Sequence, residues 1–297
     1  MRVAITGSHG LIGSALAESL ERDGVEVVRV VRGAAGANEL RWDPATGEIA
    51  ADALNGIDAV VHLAGEGVAE KRWTDEQKAK IIDSRRVGTD AVARACASAQ
   101  DGPRVLVSGS AIGFYGDTKG QTVDETAGPG EDFLAGVCVA WEAATKPAEA
   151  AGVRVVHIRT AVVQTPEGGM LGKQLLPFKL GLGGKLGSGK QWVSWITLED
   201  EVRAIRFAIH TESLRGPVNL SAPEAVTNAD YTKALGHAMH RPAFLVVPPF
   251  ALKAALGGEL VESLLVSQRV VPTKLLEAGF VFNHPKIAEG LVAALRR

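Results

Sequence analysis

At 297 residues the chain can hold one large α/β domain and a smaller lobe. Its 46% hydrophobic and 22% charged content is that of a folded globular protein, and a net charge of −2 gives no basic surface for nucleic acid. Two cysteines, Cys96 and Cys138, form neither a disulfide framework nor a metal-ligand spacing, and no apolar run approaches a membrane span. With the first strand beginning at once and leaving no room for a signal peptide, the expectation is a cytoplasmic protein without metal, membrane or nucleic-acid partner.

The first unit spans Arg2 to Arg32. Val3 and Ile5 alternate with Arg2 and Ala4 as a short buried strand would, and Ile12, Leu16 and Leu20 then mark one face of a helix that Gly24 ends. Val25 to Val31 is a second strand, with Arg32 at its tip. Between first strand and helix lies Thr6-Gly7-Ser8-His9-Gly10-Leu11-Ile12-Gly13, which reads as the turn of a dinucleotide site. Gly7 permits the tight turn, Gly10 lets backbone approach a pyrophosphate, and Gly13 lets the helix close on the sheet; the free N–H groups of the helix start face the anion. At the second strand's tip an NAD site usually has an acid for the ribose 2′-hydroxyl. Here Val31 and Arg32 stand there, with no acid before Glu39, and a guanidinium suits a 2′-phosphate. The expected cofactor is NADP(H).

Further along, Leu40 to Pro44 reads as a short strand, and Asp58 to Gly65 as a strand buried on both faces whose end, Leu63-Ala64-Gly65, points at the cofactor crevice. His62 inside it reads as a core histidine. Thr74-Asp75-Glu76-Gln77 is a capping box opening a helix to about Ala99, and Lys80 and Arg85 on it are candidate phosphate contacts. Arg104 to Ser110 is the next strand, ending in hydroxyls at Ser108 and Ser110, with Tyr115 in the loop beyond. Asp132 caps a helix expected over 133–151, and Val153 to Ile158 is a strand leading to Val163, a further candidate cofactor contact. From Gln164 the pattern changes. The runs around Gly168-Gly169 and from Gly181 to Gly189 carry neither helix nor strand period, and the second reads as a loop flanking the active site. Val218 to Leu220 returns as a strand, Thr227 caps a helix to His240, and short helices broken by prolines follow. The expected fold is α/β, a Rossmann-type doubly wound parallel sheet with a smaller C-terminal α+β lobe. Residues 1–165 and 197–222 make the NADP-binding domain, and 166–196 and 223–297 the small lobe.

Thr6-Gly7, Gly10, Gly13, Val61-His62-Leu63-Ala64-Gly65, Ser108-Gly109-Ser110 and Arg159 together resemble the extended short-chain dehydrogenase/reductases, the epimerase and dehydratase superfamily. Lys71-Arg72-Trp73-Thr74, Ser84-Arg85, Phe178 to Gly184, Ser194-Trp195-Ile196 and Leu276 to Phe280 narrow the resemblance to an atypical subgroup with a C-terminal domain of unknown function. The resemblance implies an NADP-binding domain with a small substrate lobe, and either a monomer or a homodimer formed through helices near 74–99 and 132–151. It also implies a Tyr-x-x-x-Lys pair on the helix after Ser110, the tyrosine acting as base. This chain has Cys138 and Glu142 at those places, and a glutamate there should raise the thiol's pKa. Two readings follow. One is an NADPH-dependent oxidoreductase or nucleotide-sugar-epimerase-like enzyme acting on a small molecule, with Ser110 positioning a carbonyl and Tyr115, a water or Glu66 giving the proton. The other is an NADPH-binding sensor without turnover.

Overall fold

The protein is described from a computed structural model, in which residues 1–50 and 52–296 are described. Strands β1 (Arg2–Thr6), β2 (Glu26–Val31), β3 (Glu39–Asp43), β4 (Glu48–Ile49), β5 (Ala59–His62) and β6 (Val105–Ala111) join strands Arg154–Thr160 and Gly216–Leu220 in one eight-stranded sheet. From one edge the order is 216–220, 154–160, β6, β5, β1, β2, β3, β4, and every pair is parallel except β3 with β4. The expected Rossmann-type sheet is present, and its order reverses beside β1, where an open α/β sheet leaves a crevice at its carboxyl edge.

The strand period explains the layers. Val3 and Ile5 point to one face, into a cluster with Leu16 and Leu20 of helix α1 (Leu11–Arg22) and Ile205 of helix Leu198–His210. Ala4 points to the other, with Val28, Val60, Leu106 and Val92 of helix α2 (Asp75–Ser98). Both faces are dry, so the strands read as nearly continuous apolar runs. Gly24 follows α1 at φ +75°, the left-handed position expected of it.

Helix α3 (Phe133–Ala143) starts at Asp132, whose carboxylate accepts the Ala135 N–H at 2.9 Å. The helix expected over 133–151 is broken in two, a short helix running over Lys146–Ala150. Pro147 has no N–H to offer the carbonyl of Ala143, so the ladder stops there. Sequence periodicity also misses the helix Gly169–Lys179. Its glycines and Pro177 are poor helix formers, yet Leu171, Leu175 and Phe178 share one face and pack with Tyr231, Leu235 and Leu291. Of the Gly181 to Gly189 run, Gly184–Leu186 is a strand paired with Leu245–Val247.

The stretch 223–297 is not confined to one lobe. Its strand Arg269–Val270 pairs with Thr122–Val123, while Leu275 and Phe280 enter the cluster that holds Val3 and Ile5. No helix among the described residues is long and apolar enough to cross a membrane.

Candidate functional site

The turn after β1 forms the wall of a cavity of about 460 Å³, lined by Gly7, Ser8, His9 and Gly10 on one side and by Val30, Val31, Arg32, Leu63, Ala64 and Gly65 on others. Gly7 has φ +67°, and a Cβ on Gly13 would lie 2.2 Å from the Gly7 carbonyl oxygen. Helix α1 therefore begins tight against the turn, as only glycine at position 13 allows. No side chain caps α1, and its N-cap residue Gly10 lines the cavity. The Ser8 hydroxyl is buried and has no hydrogen-bond partner among the described residues. Arg32 has no ion-pair partner among them either, and stands where the cavity meets the tip of β2. Leu11, Ile12, Gly13 and Val163 do not line the cavity; Ile12 and Val163 pack on the core, and Leu11 lies toward Gly168.

Ser110 and Tyr115 belong to a second, buried group behind the crevice. Ser110 donates its hydroxyl proton to Glu142 at 2.7 Å, and Arg159 grips the same carboxylate through Nε at 2.8 Å and Nη2 at 2.9 Å. That bidentate pair is the strong form of a charge-assisted contact. Tyr115 is spent on structure. Its hydroxyl donates to Asn219 at 2.7 Å and accepts from Arg159 at 3.0 Å, its ring is buried, and burial pushes its pKa up. Of the candidate proton donors, Tyr115 is thus already engaged and does not line the cavity. Ser108 lies inside the sheet, fully buried, and does not line the cavity.

Cys138 and Glu142 occupy α3 one turn apart. Burial first, and then the Glu142 charge, push the Cys138 thiol up to about 11. His62 is a core residue, as expected: fully buried, bonded to Thr6 and Thr89, and held neutral by burial that lowers its pKa to about 3.

Charged residues at the end of β5 fall into distinct places. Glu66 lines the cavity, and a bond from Gln77, together with Lys71, keeps its carboxyl below the usual range, so it is a poor proton donor. Gln77 thereby completes only half of the expected capping box; its backbone N–H meets Thr74, but its amide goes to Glu66. Lys80 reaches Glu76 at 2.6 Å on the exposed face of α2, away from the cavity. Arg85 is half-buried, stacked over Trp141 at 4.7 Å and pressed on Gly65. The Gly184–Leu186 strand does not line the cavity.

Sequence reasoning found the glycine turn but not the Glu142–Arg159 pair, although Arg159 entered through the resemblance. In the structure Arg159 and Ser110 are register partners near the ends of neighbouring strands.

The description "NAD dependent epimerase/dehydratase family" matches residues 3–220, and a domain of unknown function matches 247–294. An epimerase family protein of Mycobacterium bovis is 48% identical over 99% of this chain and 98% of its own. The crystal structure of the human epimerase family protein SDR39U1 with NADPH superposes with a TM-score of 0.92 at 32% identity, covering 100% of this chain and 99% of that one. A nucleoside-diphosphate sugar epimerase from Corynebacterium glutamicum is similar at TM-score 0.83 and 37% identity, over 99% of this chain and 58% of that one. With the family pattern running through the glycine turn, the sheet and the Ser110 strand, this protein belongs to the NAD dependent epimerase/dehydratase family.

Proposed function

We propose that this protein binds NADPH in the cavity beside Gly7 and uses it as an oxidoreductase or epimerase-like enzyme on a small molecule. The observation that carries this reading is the Ser8 hydroxyl, buried without a partner inside a glycine cradle at an uncapped helix start. A buried hydroxyl left unpaired costs about 1–3 kcal/mol, and a phosphate oxygen at this place would satisfy it. Arg32 favours the phosphorylated cofactor, and the human relative solved with NADPH supports the same choice. Gly7, Ser8, Gly10 and the first N–H groups of α1 would hold the pyrophosphate, and Arg32 the 2′-phosphate.

Bound nicotinamide supplies the hydride chemistry. The chain's own part is proton transfer, and the geometry around Ser110 directs it. Ser110 gives its only proton to Glu142, which leaves its oxygen to act toward a substrate as an acceptor. That suits a substrate hydroxyl better than the carbonyl first expected. As the hydroxyl proton moves to Ser110 Oγ, the Ser110 proton passes to Glu142, and the Arg159 fork keeps the carboxylate in line. In the reverse direction the same protons return. The second reading, a cofactor-binding sensor, draws on Tyr115 and Cys138, neither of which offers a group that titrates near neutrality.

Titrating NADPH and NADH into the full chain tests cofactor choice, and a panel of hydroxyl and carbonyl compounds monitored at the nicotinamide absorbance tests turnover. NADPH preference with turnover of any member supports the enzyme; NADPH binding with no turnover across the panel favours the sensor. Binding of neither nucleotide overturns both.

A further inference from the structure

Of three buried or half-buried arginines, two are provided with acceptors. Arg159 has the Glu142 carboxylate, and Arg154 has the carbonyls of Ala208, Ile209 and Leu214. Arg85 gives only Nη1, to the carbonyls of Glu66 at 2.9 Å and Ile81 at 3.1 Å. Its Nε and Nη2 have no acceptor among the described residues, and it has no ion-pair partner there. Burial lowers the Arg85 pKa, opposed in part by Cys138 and then Glu66. A guanidinium carries five donors in a planar fork, so most of this one is unspent.

The Arg85 Nε and Nη2 are not buried, so they face solvent, whereas the donor of the neighbouring Trp141 is shut away from it. Trp141 lies beneath the guanidinium, 7% exposed, and its indole N–H is buried with no acceptor. Gly109 makes room for that indole: a Cβ there would stand 2.7 Å from the ring. Gly65, against which Arg85 rests, also lines the cofactor cavity. Trp141 directly precedes Glu142 on α3. A solvent-facing half of a guanidinium beside a buried indole N–H without an acceptor suits an oxyanion.

We propose that Arg85, with the Trp141 N–H beside it, anchors an oxyanion of the substrate, so that the substrate is a hydroxyl or carbonyl compound bearing a carboxylate or phosphate. The inference rests on the NADPH reading of the adjoining cavity. The same oxyanion chemistry could come from the cofactor's pyrophosphate, and the experiment separates the two sources.

The full chain, saturated with NADP, is titrated with inorganic phosphate and with oxalate, following heat and tryptophan fluorescence. The expected result is saturable binding of at least one anion to the wild type. Arg85→Met should weaken it at least about tenfold, with NADPH affinity changed by less than about threefold. Because Arg85 also latches Glu66, Trp141→Phe is the second arm: it keeps the stacked ring, removes the N–H, and should weaken the anion about threefold or more. Absence of anion saturation in the wild type overturns the proposal, as does unchanged anion affinity in both variants. A tenfold loss of NADPH affinity in Arg85→Met overturns it too, because the guanidinium then serves the cofactor. NADPH binding without anion binding sinks this inference alone, whereas failure of the wild type to bind NADPH sinks the proposed function and this inference with it.

Discussion

Single residues divide into those whose partners are near in sequence and those whose partners are not. The glycine turn was legible because Gly7, Gly10 and Gly13 act within one loop, and their spacing states the geometry directly. Arg32 was legible for the same reason, as the residue at the end of an apolar strand. Arg32→Ala should weaken NADPH by about 10- to 100-fold, the worth of one charge-assisted contact, and leave NADH nearly unchanged; paired titrations check it. Gly13→Ala forces a methyl against the Gly7 carbonyl, and should cost about 1–3 kcal/mol in urea unfolding together with a loss of nucleotide binding. Glu142 could be read only at the lysine's place beside Cys138, because its partners Ser110 and Arg159 come from two strands distant in sequence. Removing it strands the Arg159 cation, whose side chain is 4% exposed. Glu142→Ala should therefore cost about 3–5 kcal/mol by the same measurement.

Among the elements, caps were legible and breaks were not. Thr74, Asp132 and Thr227 each accept an N–H from the first turn of the helix they precede, a relation contained in a few adjacent residues. The break after α3 depends on Pro147, and the helix 169–179 on burial of one face by the lobe, which tertiary packing decides. The helix Leu198–His210 also hides a carboxyl, Glu201. It is fully buried, bonded to Thr160 at 2.8 Å through one oxygen, with the other unpartnered among the described residues; burial raises its pKa from 4.5 to about 8. In the unfolded chain this group loses its proton above its ordinary pKa, while the folded protein keeps it to about 8. Folded protein thus binds more protons between those values, and stability falls as pH rises through that window, by at most about 1.4 kcal/mol per unit. Glu201→Gln should flatten this slope and gain on the wild type steadily from pH 5 to 8. Chemical denaturation at several pH values reads it out; parallel curves would mean that the carboxyl is ionised in the folded state.

For the molecule as a whole, the sheet and its layers followed from apolar runs and their period, but the path of the last residues did not. Short helices and prolines say little about where a segment packs. Here Leu275 and Phe280 fill the same core as Val3 and Ile5, and Ser267 accepts the Thr118 N–H at 2.8 Å. Truncation after residue 265 should accordingly leave no folded dinucleotide half. Circular dichroism and fluorescence should report one coincident transition for the full chain and none for the truncated one. This closure has a bearing on biosynthesis. At the ribosome's rate of about 5–20 residues per second, the first strand waits many seconds for side chains made near the very end. Until they arrive, its core face is open to other chains, and the demand for protection falls on the nascent protein rather than on the finished one.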